Sequence, residues 1–117
     1  MTELRGRDRR YLRGLGHGLE PVVFVGKEGI GEPVVRSLVE AFAHRELVKV
    51  RLERNCPLAR QEAAARLAEA GGAHLVQVLG RTILLYRSDP EDPRLELPAG
   101  AAERPEARPP SGDRASG

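Results

Sequence analysis

Two glycines three residues apart, Gly26 and Gly29, close the apolar run Val22-Val23-Phe24-Val25 and hold Lys27 and Glu28 between them. A strand that stops at such a pair and leads into a helix start is suited to an anion. Glycine lets the backbone approach a ligand closely, the first N–H groups of a helix lack internal partners, and the helix dipole favours negative charge at that end. Lys27 adds a cation inside the same turn. The longer phosphate loop of nucleotide hydrolases is excluded, because no second glycine is followed at once by Lys-Ser or Lys-Thr. A turn that merely needs two glycines would look the same, so the surrounding sequence has to decide.

Catalytic and metal chemistry find little support. Cys56 sits in Asn55-Cys56-Pro57 with no evident base partner, and His17, His44 and His74 are too scattered for a metal-site spacing with it. No Ser-His-Asp order and no paired carboxylates lie near residues 26–31. No catalytic residue, metal ligand or cofactor is therefore assigned. A lone cysteine cannot form an internal disulfide and fits a reducing, cytoplasmic setting. The chain has no run of about 18 apolar residues and no charged-then-apolar leader, so neither a membrane span nor a secretory signal is expected.

The formal net charge of +2 conceals two unlike parts. Residues 1–87 hold 15 Lys/Arg and 10 Asp/Glu, a balance of +5, whereas residues 88–117 hold 4 Arg and 7 Asp/Glu, a balance of −3. The basic part favours an acidic partner such as nucleic acid.

Residues 2–15 read as an amphipathic helix with Leu4, Tyr11, Leu12 and Leu15 on one face and Arg5, Arg9 and Arg13 one turn apart on another. Residues 22–25 form a strand, apolar at every position, which predicts the covered interior of a sheet. After the turn at 26–31 a second helix starts near Glu32-Pro33 and presents Val35, Leu38, Val39 and Phe42 to the core. Residues 47–54 alternate: Val48, Val50 and Leu52 face one way, Lys49, Arg51 and Glu53 the other. An Ala-rich third helix at 58–70 stops at Gly71-Gly72. Strands at 75–79 and 82–86 flank Gly80-Arg81, a pair suited to a type II′ hairpin. The expected fold is α/β, a small mixed four-stranded sheet with three helices in the order α-β-α-β-α-β-β.

Composition changes after Arg87. Six of the nine prolines fall between Pro90 and Pro110, and large apolar residues nearly vanish past Leu97. Residues 1–98 are expected to form one domain and residues 99–117 a disordered Pro-rich tail, with Leu95-Glu96-Leu97 available to dock as a short extended segment.

Five ordered segments carry a resemblance: Arg9 to Leu15 (Arg-Arg-Tyr-Leu-Arg-Gly-Leu), Leu19-Glu20-Pro21-Val22-Val23, Val25 to Ile30 (Val-Gly-Lys-Glu-Gly-Ile), His44 to Val50 (His-Arg-Glu-Leu-Val-Lys-Val), and Val76 to Arg87. Together, over about residues 4–98, they resemble the bacterial YhbY-type CRM domain, the chloroplast RNA splicing and ribosome maturation module. The resemblance implies an RNA-binding domain with a fold similar to the C-terminal domain of bacterial translation initiation factor three. It also implies a place on precursors of the large ribosomal subunit, with ribosomal RNA as partner. Two departures stand out. Ile30-Gly31 replaces the usual Leu-Thr, so glycine takes the place of a threonine N-cap at a cost of a few tenths of a kcal/mol. Asp8 is an acid within an otherwise basic helix.

With this neighbourhood, Gly26, Lys27, Glu28 and Gly29 are read as a clamp on an RNA backbone, of the G-x-x-G kind used by KH domains, with Glu28 turned to solvent. Arg9, Arg10 and Arg13 on the first helix and Lys49 and Arg51 on the second strand complete the candidate RNA contacts. Aromatics number only Tyr11, Phe24, Phe42 and Tyr86. Binding is therefore expected to rest on phosphates, shape and a few polar edges rather than on a base-stacking sheet. The protein is expected to act as a monomer. Two other classes compete: a protein-binding ribosome-associated adaptor, and a small enzyme holding a phosphorylated ligand at the same turn.

Overall fold

The periodicities recur as the element order of the computed structural model, which describes residues 4–89: α1 (Gly6–Gly16), β1 (Val23–Val25), α2 (Glu32–His44), β2 (Leu47–Leu52), α3 (Arg60–Gly71), β3 (His74–Leu79) and β4 (Thr82–Tyr86). The expected tail at 99–117 and the docking of 95–97 lie outside the described residues. The strands form one sheet in the order β1-β2-β4-β3, with β1 parallel to β2 and the other two pairings antiparallel. This is a three-helix α/β fold on a mixed sheet, as the sequence predicts.

Helices cover both faces. On one, α2 and α3 pack Leu38, Phe42, Ala63, Ala64 and Leu67 against Val23, Val25, Val48, Val50, Leu52, Ile83 and Leu85. On the other, α1 brings Leu12, with Leu4 just before it, onto Leu47, Val76, Leu84 and Tyr86. The second cluster is smaller and leaves part of its face uncovered.

The line of α1 that meets the sheet is Asp8, Leu12 and Gly16, four residues apart. Tyr11 and Leu15, expected on the buried face, lie to one side and are each 38% exposed. Gly16 lets α1 lie close on β4: an added Cβ would stand 2.6 Å from Leu84 Cδ2, so a larger residue would have to push that side chain aside. Asp8, an oddity in the sequence, is the third residue of the helix, is fully buried, and accepts a hydrogen bond from the Arg5 N–H at 3.3 Å. A carboxylate in the first turn also suits the helix dipole. Asp8→Ala is expected to lower stability by about 1–3 kcal/mol, because the Arg5 N–H loses a charged acceptor. Urea unfolding checks this; an unchanged midpoint would contradict it.

Along α2, Leu38 and Phe42 are buried as expected, but Val39 is 47% exposed and Val34 takes its place against the core. Gly71 lets α3 cross α2 closely, since its Cβ would lie 3.0 Å from Leu38 Cδ2. Gly72, at φ 59°, ends the helix in the left-handed region, and the Ala73 N–H reaches back to Ala68 O at 2.9 Å.

Two strand expectations need correction. β1 is an edge strand, not an interior one: Val23 and Val25 are buried, but Phe24 between them is 50% exposed. An all-apolar run of three residues cannot distinguish two covered faces from one covered face and one bare aromatic. β2 stops at Leu52 rather than 54, because residues 53–56 turn, with the Cys56 N–H on Glu53 O at 3.0 Å.

β3 departs from strict alternation. Its register against β4 slips between Leu75 and Gln77, so Val76 is the extra residue of a bulge. Alternation alone would send Leu75 and Val78 to opposite faces; the bulge lets both pack on the α2–α3 side while Val76 joins the α1 cluster. It also leaves Gln77 and Leu79 on the α1 side, opposite Leu84 and Thr82. Gly80, at φ 59°, has the positive φ that a primed hairpin turn requires.

Candidate nucleic-acid interface

Gly26 to Gly29 form one tight turn at the carboxyl end of β1, closed by the Gly29 N–H on Gly26 O at 3.0 Å. Gly29 is buried and sits at φ 73°, in the left-handed region that glycine adopts most readily. Lys27 and Glu28, at the tip, are both exposed. Two residues further on, Gly31 is the N-cap of α2, extended, with no side chain capping the helix. Pro33 has no N–H to offer, so the first-turn N–H groups of Glu32 and Val34 are the helix donors left beside the turn. The strand-turn-helix junction read from the sequence is thus present, with Lys27 beside it.

Three further segments reach the same end of the sheet. Val25 O accepts the Glu53 N–H at 2.8 Å, which sets the 53–57 loop beside the turn. Asn55 Oδ1 and Pro57 Cγ lie 3.7 and 3.9 Å from where Cβ atoms on Gly26 and Gly29 would stand. Arg81 in the β3–β4 hairpin donates to Glu53 O at 3.2 Å, and Arg60 at the start of α3 donates to Gly80 O at 3.1 Å. The result is an open cleft of about 500 Å³ lined by Arg51, Leu52, Glu53, Arg54, Asn55 and Arg81. Arg51, Arg54, Arg60 and Arg81 are all exposed, against one carboxylate in the cleft, Glu53. Such a surface can hold phosphates through bidentate guanidinium contacts next to backbone donors.

The expected residues divide into two groups. Gly26, Lys27, Glu28 and Gly29 come together with Arg51 at this end. Lys49, half-buried two residues back on the same face as Arg51, lines a small hollow with Gly16, His17, Gln77, Leu79, Thr82 and Leu84 where α1 ends. Arg10 is exposed on α1 and Arg13 is half-buried there. They lie on the opposite face of the sheet from α2, and no hydrogen bond or ion pair among the described residues joins them to the turn. Arg9 is engaged internally, donating to Leu4 O at 2.9 Å and to Leu75 O at 3.3 Å, which ties α1 to β3.

Arg54, Asn55, Arg60 and Arg81 were not among the candidates from sequence. Their signal was positional: ligands in open α/β sheets gather at the carboxyl ends of parallel strands, and β1 and β2 are the parallel pair. Among the described residues no group of three His, Cys, Asp or Glu could hold a metal ion, and no helix is long and apolar enough to cross a membrane.

The chain has named relatives along most of its length. The chain is 37% identical over 95 residues to "Probable RNA-binding protein YqeI" of Bacillus subtilis, covering 81% of this chain and 99% of that one. It is 33% identical over 98 residues to an "RNA-binding protein" of Haemophilus influenzae, covering 84% and 98%. The solution structure of SAV1595 from Staphylococcus aureus superposes with a TM-score of 0.71 at 39% identity, over 81% of this chain and 99% of that one. The model of the CRS1/YhbY (CRM) domain matches residues 4–87, which span all three helices, all four strands and the glycine turn. By fold, by sequence and by that match, the chain belongs to the CRS1/YhbY (CRM) domain family.

Proposed function

We propose that the protein is a non-enzymatic RNA-binding assembly factor of the cytoplasm, acting as a monomer on ribosomal RNA in precursors of the large ribosomal subunit. The observation that carries the RNA reading is the uncapped start of α2 behind the Gly26–Gly29 turn, with Lys27 at its tip and three exposed arginines, Arg51, Arg54 and Arg81, lining the adjoining cleft. Relatives named as RNA-binding proteins support it. The ribosomal destination rests on the family resemblance drawn from the sequence.

In this reading the backbone donors and Lys27 hold phosphates, while Arg51, Arg54 and Arg81 extend the track along the cleft. Arg10 and Arg13 supply a second basic surface on α1 for an RNA large enough to wrap the domain. Phosphate contacts carry little sequence information. Binding should therefore weaken steeply with salt, with a log-log slope of roughly −3 for about 4 neutralised phosphates of single-stranded RNA. Lys27→Ala with Arg10→Ala should weaken many RNA sequences alike and flatten that slope. Fluorescence anisotropy across a salt series tests this, and a flat response in the wild type would favour the protein-binding adaptor instead.

A further inference from the structure

Row by row across the sheet, the pairing places Phe24 of β1, Arg51 of β2, Thr82 of β4 and Leu79 of β3 side by side. All four lie on the α1 side, beyond the cluster that α1 covers. Phe24 is 50% exposed and Leu79 58% exposed, the two most exposed large apolar side chains among the described residues. With neighbouring strands about 4.8 Å apart, the row is about 14 Å long. The strip has an aromatic ring at one end and a leucine at the other, with Arg51 and Thr82 between them, and is bordered by Lys49 on one side and by the cleft with Arg54 and Arg81 on the other.

We infer that this strip is a platform for unpaired RNA bases, with the Phe24 ring as the stacking surface. The inference rests on the RNA reading of the neighbouring turn and extends it from phosphates to bases. Its occupant follows from charge: Arg51 pairs directly beside Phe24, Lys49 lines the hollow with Leu79 and Thr82, and Arg54 and Arg81 share the adjoining cleft with Arg51, where Glu53 is the one acid. That arrangement suits a polyanion with flat faces better than an apolar protein surface. Phosphates seated at the Gly26–Gly29 turn, directly after β1, place the bases of the same strand within reach of Phe24. A duplex keeps its bases stacked inside and gains nothing here. The scarcity of aromatics had argued against base stacking; two of the four, Phe42 and Tyr86, are indeed buried, but Phe24 is not.

The test uses the full chain and two fluorescent probes, an unstructured 12-nucleotide RNA of mixed sequence and a fully paired RNA duplex of the same length. Phe24→Thr removes the ring while keeping a residue suited to a strand, and Phe24→Tyr keeps the ring. Loss of one stack, about 1–3 kcal/mol, corresponds to roughly 5- to 150-fold weaker binding of the unpaired probe. Phe24→Tyr should bind it as wild type does, and all three proteins should bind the duplex equally. Lys27→Ala should weaken both probes. If Phe24→Thr holds the unpaired probe as tightly as wild type while Lys27→Ala loses both, the platform is wrong and the phosphate turn stands, leaving the strip free for a protein partner. If wild type binds neither probe at low salt, both readings fall.

Discussion

Gly29→Asp is expected to bind structured RNA at least about tenfold more weakly than Gly29→Asn, with both variants folded. The pair separates two effects that a single substitution would mix. At φ 73° either side chain meets the same backbone penalty, and Asn and Asp are the residues that tolerate this region best. Either Cβ would sit 3.9 Å from Pro57, an ordinary contact. Although Gly29 itself is buried, the turn stands at the margin of the core, so circular dichroism should show matched folds. Only Asp adds a charge. A unit charge about 6 Å from a phosphate costs roughly 3 kcal/mol at an effective dielectric near 20, and salt screening reduces it toward the predicted tenfold. Equal affinities, measured at low salt, would mean that no phosphate sits at this turn.

Gly16→Val should destabilise the domain by about 2–3 kcal/mol, enough to lower the thermal midpoint by roughly 10 °C or more. The cause is local. The Cβ would arrive 2.6 Å from Leu84 Cδ2, and Leu84 is itself buried between α1 and the sheet. Valine at the last helical residue gains little from helix propensity, so overpacking decides the sign. Leu84→Ala opens the same space, and combining the two should cost clearly less than the sum of the single losses. Additive losses in a double-mutant cycle would show that α1 does not approach β4 as described.

What the sequence makes legible, and what it hides, follows from which interactions are local. The alternation read over 47–54, the glycine stop at Gly71-Gly72 and the Gly80-Arg81 hairpin are short-range signals; the stop and the hairpin appear where they were read, and the strand ends two residues early, at Leu52. The G-x-x-G turn was legible for the same reason. Strand neighbours are not local: nothing in Val23-Phe24-Val25 says that β1 lies at an edge, and this decides whether Phe24 is core or surface. The bulge at Val76 is likewise non-local, since it puts Leu75 and Val78 together against the α2–α3 core, where both are half-buried. Arg9 shows the converse, a surface-type residue on a basic helix whose guanidinium is taken up by Leu4 O and Leu75 O. Asp8 shows it again, since its burial depends on how α1 lies on the sheet. The basic cleft is assembled from a loop and a hairpin 28 residues apart, joined by the Arg81–Glu53 hydrogen bond.

The most direct measurement is ultraviolet crosslinking in the cells that make the protein, with sequencing of the bound RNA for wild type beside Gly29→Asp at matched abundance. Wild-type crosslinks should concentrate on ribosomal RNA of large-subunit precursors, and most should disappear in the variant. Crosslinks spread over unrelated RNAs, or an undiminished precursor signal from folded Gly29→Asp, would contradict the account.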